Sequence, residues 1–146
     1  MRALLFVGLA MLSIRAQAWP TASEAIDRFL QFETAGGRLQ AWPMHRYLAP
    51  DVGEEESGWD TLSVVRAWHV DEMTCEPHRC TASVRFVFAE VPAKLRDQVQ
   101  AHAAGDSQLV SYSVREHGGQ WMLGGEAKQL PPFVTLDALR RRGLLP

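Results

Sequence analysis

His69-Val70-Asp71 places an imidazole and a carboxylate two residues apart. In a strand, residues at that spacing share a face, so Asp71 could orient His69 as a general base. A base also needs a positioned substrate and a shifted pKa, and the plainer reading is a polar strand face opposite Trp68 and Val70. Tyr112, farther along, is the third weak catalytic candidate. Cys75 and Cys80 close the segment Cys75-Glu76-Pro77-His78-Arg79-Cys80. With His78 and His69 they could supply four zinc ligands, but structural zinc sites favour other spacings. In an oxidising compartment a close, even pair of cysteines reads instead as a disulfide across a proline turn. The spacing is not Cys-x-x-Cys, which argues against a redox pair. Ser111 and Ser113 lack a Gly-x-Ser-x-Gly setting, and neither a triad order nor a glycine-rich phosphate loop is present. No metal and no cofactor is expected.

A second kind of site would be apolar. Trp42, Trp68, Phe86, Phe88, Tyr112 and Trp121 are spread over the chain, and in a helix-on-sheet domain some could line a ligand pocket. Each is equally well explained as core, because aromatic side chains bury a large area apiece. The runs Glu54-Glu55-Glu56 and Arg140-Arg141-Arg142 read as solvated faces, the arginines lying in the last turn of a helix where cations suit its dipole.

The elements that must position these residues follow from the pattern. Thr21-Ala22-Ser23-Glu24 offers a capping box. Ile26, Phe29, Leu30 and Glu33 then keep a helical period until Gly36-Gly37, which suits a left-handed C-cap. A second short helical segment is expected over residues 38–48, interrupted at Pro43. From Asp60 the pattern turns to alternation: residues 60–70, 81–91, 109–116 and 120–125 read as strands, the last two joined at His117-Gly118-Gly119. Gly124-Gly125 could mark a bend or bulge. Residues 93–104 suggest a short helix after Pro92. A capped helix from Thr135 to about Arg142 follows Pro131-Pro132. Helices grouped before a run of strands imply an α+β fold, N-terminal helices packed on a curved antiparallel sheet of about four long strands, with a short C-terminal helix.

At the amino end, Met1-Arg2, the apolar residues 3–14 and Arg15-Ala16-Gln17-Ala18 have the form of a cleavable secretory signal. The apolar run is shorter than the ~20 residues a membrane span needs. The expected organisation is a signal over 1–18 and one domain over 19–146, secreted or periplasmic. Loss of Arg2 and Arg15 leaves thirteen Lys and Arg against seventeen Asp and Glu, a formal charge of −4. That balance argues against a nucleic-acid partner. A hydrophobic fraction of 47% with five tryptophans argues against disorder.

The leading amphipathic helix ending in Gly-Gly, the late strand, and Val114-Arg115-Glu116-His117-Gly118-Gly119-Gln120-Trp121 together resemble the nuclear transport factor 2-like (cystatin-like cone) superfamily, in its exported bacterial form. The resemblance implies a helix lying across a curled sheet. Its ketosteroid-isomerase branch would call for a pocket tyrosine, Tyr47 or Tyr112, beside acids such as Asp60 or Asp71 held in an apolar site. The superfamily also contains non-catalytic binding domains, and fold alone does not choose among these. The preferred expectation is an exported, non-enzymatic domain binding a small apolar ligand or a protein partner. The alternatives are a small isomerase or hydrolase using His69, Asp71 and Tyr112, or a secreted inhibitor or immunity-type protein acting through charged loops.

Overall fold

A computed structural model describes residues 19–39, 44–53 and 59–145. Helix α1, Ala22–Thr34, lies across a curled, mostly antiparallel sheet. The strands are β1 (Ser63–Glu76), β2 (Arg79–Phe88), β3 (Ser107–His117), β4 (Gln120–Leu123) and β5 (Phe133–Thr135), and their order across the sheet is β4-β3-β2-β1-β5. Two short helices complete it, α2 (Glu126–Gln129) and α3 (Leu136–Arg141). The α+β class expected from the pattern is the one observed.

Helix α1 starts where Thr21 Oγ1 accepts from the Glu24 amide at 3.1 Å and ends at Gly36, whose φ of 75° is open to glycine at little cost. Its apolar stripe places Ala25, Ile26, Phe29 and Leu30 against Val65, Val84, Phe86, Tyr112, Val114 and Leu123 of the concave sheet face. Burial of each large apolar side chain there contributes roughly 1.5–3 kcal/mol. Neighbouring residues of β1 and β5 point the other way. Val64 and Val134 meet Ala89, Leu95, Val99, Ala138 and Leu139 in a second, smaller core on the convex face, under α3.

Several details differ from the sequence expectation. The segment expected as a second helix over 38–48 forms two 3-10 turns, Gly37–Leu39 and Met44–Tyr47, with residues 40–43 outside the described residues. Residues 93–104 form a 3-10 turn over Ala93–Gln98 and then a loop, because only Leu95 offers that turn a buried apolar anchor. The strand expected from Asp60 begins at Ser63 and continues through Cys75 to Glu76, so the connecting turn is only Pro77-His78. A fifth strand, β5, runs parallel to the start of β1; three residues after Pro131-Pro132 are too few to show a period. Bulge-like register shifts lie in β1, between Val65 and Ala67 and between Val70 and Glu72, whereas Gly124-Gly125 carries the chain out of β4 toward α2.

Candidate functional site

The connection from β2 to β3 encloses a cleft of about 300 Å³, lined by residues between Glu90 and Ala104. Pro92 opens the 3-10 turn Ala93–Gln98, which brings Arg96 to the cleft wall. Leu62 bridges to Val99, and the Gln100 amide donates to the Leu62 carbonyl at 2.9 Å, so the next stretch is pinned beside β1. The return to β3 is fixed by Gly105, at φ 87°, whose amide donates to the Phe88 carbonyl. These constraints stack the His102 ring flat on Phe88, centroids 3.6 Å apart and planes within 4°. His102 Nε2 lies 3.5 Å from Ser63 Oγ, which donates to Gln100 Oε1 at 3.2 Å. Val91 and Val99 give the cleft an apolar wall, while Glu90, Arg96, Gln100 and His102 supply charge and hydrogen bonds. Among the described residues, neither Glu90 nor Arg96 is in an ion pair.

A second polar centre is enclosed within the fold. Glu33 sits on the apolar stripe of α1, 1% exposed. Its Oε1 accepts from Arg38 Nη1 at 3.1 Å and from the Phe133 amide at 3.1 Å, while Oε2 is buried without a hydrogen-bond partner. Arg38 Nη2 donates to the carbonyls of Lys128 and Leu130. Burial pushes the Glu33 carboxyl up to about 7 against the opposing pull of Arg38 and the Phe133 amide. Burial and the nearby Glu33 charge together push the Tyr112 hydroxyl well above its ordinary range, and Arg38 opposes them. Arg38 and Glu33 thus join α1 to the segment that leads into β5. Sequence reasoning placed Glu33 in the helical period of α1 but gave neither residue a functional role. The signal was present for Glu33, an acid at an apolar-stripe position, and absent for Arg38, which follows the helix in a turn.

The catalytic candidates do not converge. Tyr112 pairs with Ala82 and points into the core, 2% exposed, edge-on to Phe29 with centroids 5.6 Å apart. His69 pairs with Arg85 on the convex face and is exposed. Asp71 falls at the β1 register shift and is held by Arg85, with Nε 2.8 Å from its carboxylate, rather than by His69. Tyr47 is buried against Phe32 and Trp19, apart from Asp60 in the connection before β1.

Among the aromatic candidates, Phe86 is fully buried and stacked on Phe133 at 3.9 Å, and Phe88 lies under His102. Trp68 and Trp121 are half-buried at the margin of the main core, and Trp42 lies outside the described residues, as does the Glu54-Glu55-Glu56 run. Cys75 and Cys80 face each other across the β1–β2 hairpin and form the expected disulfide, so neither sulfur is free to ligate zinc. At that hairpin's tip His78 pairs with Glu116 at 2.8 Å. On the neighbouring strand Arg115 pairs with Asp51 at 3.0 Å and holds its carboxyl below the usual range.

Neither a family model, nor a curated protein, nor a solved structure matches this chain.

Proposed function

We propose that this chain is an exported, non-enzymatic binding domain of the cone-shaped nuclear transport factor 2-like kind, which holds a small, partly apolar ligand in the cleft beside Arg96 and His102. The carrying observation is the cleft itself. Its ~300 Å³ is at the lower end of small-molecule sites, and it combines an apolar wall with a few convergent polar groups. A ligand with a short apolar body and both charges matches Val91 and Val99 flanked by Arg96 and Glu90. The His102 ring, already ordered by Phe88, costs little further side-chain entropy on binding. The signal-like leader and the disulfide support export. The placement of His69 and Asp71 on the face opposite Tyr112 supports binding over catalysis.

L-norleucine is a suitable probe, compared with hexanoate and hexylammonium, which each lack one charge. Norleucine is expected to bind the tightest of the three and to perturb amide resonances over residues 90–104. Arg96→Ala and Glu90→Gln are each expected to weaken it about tenfold, the loss of one charge-assisted hydrogen bond. Equal binding of the three probes, or perturbation confined to Trp68 and Trp121, would remove the cleft as the site.

A further inference from the structure

The sheet treats its exposed strand edges unequally. On its outer side β4 is followed by other chain: Ala49 donates to the Leu123 carbonyl, Trp121 donates to the Trp19 carbonyl, and Leu48 bridges to Leu123. Strand β5 has only three residues. Beyond its pairing with β5, β1 is broken by two register shifts and carries Arg66, Asp71 and Glu72. Shortness, bulges and charge are the ordinary means by which an edge avoids pairing with other chains.

Strand β3 has none of these over its first half. Strand β4 covers only Val114 to His117, and Gly124 adds one bond, its amide donating to the Ser113 carbonyl. Residues 107–113 read Ser-Gln-Leu-Val-Ser-Tyr-Ser, with no charge, no proline and an unbroken register against β2. The Ser113 carbonyl fixes the phase. Alternate residues of an antiparallel strand direct both backbone groups to the same side, so Ser107, Leu109 and Ser111 present theirs away from β2. Among the described residues none of these outward groups has a backbone partner. Leu109 is 54% exposed beside them. Facing this edge, α2 and Leu130 form the other wall of a groove of about 280 Å³, with Glu126 and Gln129 along it.

We propose that residues 107–111 dock an extended segment of a protein partner as an added strand. Backbone bonds would supply affinity, and alternate side chains would enter the groove against Leu130. Glu126, whose carboxylate accepts from Ser113 Oγ at 2.8 Å, favours a basic side chain at that end of the segment. A second copy of this chain fits less well. Its own β3 is flanked by its own α2, so twofold pairing would require both walls to move. An open edge of residues 107–111 also offers far less than the ~1,600 Å² of a standard interface. A segment free on both edges has neither difficulty. This inference is independent of the small-ligand cleft, with which the groove shares no lining residue.

The test is titration of the full-length protein with the acetylated, amidated peptide Lys-Val-Thr-Val-Thr-Val, followed by amide resonances and hydrogen exchange. The amides of Ser107, Leu109 and Ser111 are expected to shift and gain protection. N-methylation of the peptide at one alternate set of residues should weaken binding at least about tenfold, while methylation of the other set is tolerated. Ser111→Pro, which deletes an outward amide and no bond to β2, should weaken binding similarly with an unchanged far-ultraviolet spectrum. The N-methyl comparison decides the matter even if that variant misfolds. Equal binding of both N-methyl peptides, no response at millimolar peptide, or protection on β1 instead would overturn the proposal. So would an edge already protected in the free protein by residues 1–18, or a dimer abolished by Ser111→Pro.

Discussion

At Glu33 a carboxyl group occupies a position where the helical stripe calls for another apolar side chain. It persists because Arg38 and the Phe133 amide satisfy one oxygen, and the remaining oxygen bears the cost of burial. Its folded pKa, about 7, lies above its ordinary 4.5, so between those values the folded chain holds more proton than the unfolded chain. Stability from this group is therefore complete below about pH 4.5 and is lost as pH rises through 7, by on the order of 3 kcal/mol. Urea midpoints of wild type and Glu33→Gln, measured from pH 4.5 to 8, should converge at the low end and separate toward the high end. The glutamine variant is expected to lose that slope; parallel curves would contradict the assignment. Arg38 and Tyr112 face the same carboxyl, and the Asp51–Arg115 pair acts only at lower pH and with the opposite sign, so it does not mimic the effect. At this scale the sequence was partly legible. The disulfide partners could be named because only two cysteines exist. Glu33 could not be paired, because the Phe133 amide reaches it only through tertiary folding, as the Lys128 and Leu130 carbonyls reach its partner Arg38.

Among the elements, those with a long period were legible and those defined by distant contacts were not. Helix α1 has thirteen residues, a cap and a glycine stop, and the β1–β2 and β3–β4 hairpins carry alternation with turn residues between them. Strand β5 owes its existence to the open side of Ser63 to Val65, and the 3-10 turns to packing against the two cores. The cleft was missed for the same reason: its walls come from segments without periodicity, and His102 becomes part of it only through Phe88. At the β1–β2 hairpin, the disulfide spans two directly opposed residues. So short a loop restricts the unfolded chain little, and the double substitution Cys75→Ser with Cys80→Ser is expected to cost about 2 kcal/mol. Urea denaturation should therefore show a lower midpoint with the cooperative transition retained. Complete unfolding would mean that the bridge organises the sheet as well as closing its longest hairpin.

For the molecule as a whole, the bonds that hold α1 join opposite ends of the chain. Glu33 binds the Phe133 amide, Thr135 Oγ1 donates to the Thr34 carbonyl at 3.3 Å, and Arg142 Nε donates to the Ala35 carbonyl at 2.9 Å. A chain ending after Gln129 keeps α1 and the first four strands in sequence but loses β5, α3 and all three of these contacts. It is expected to be cut rapidly by protease at concentrations that leave the full chain intact; comparable resistance would show that the amino-terminal part folds alone. The closure also imposes an order in time. Because contacts across so many residues form only after long loops close, folding of this domain is slow compared with a bundle of local helices. During synthesis the carboxy-terminal end of α1 precedes by about 100 residues the segment that fastens it, so that end is tied down only after the sheet beneath it has been made.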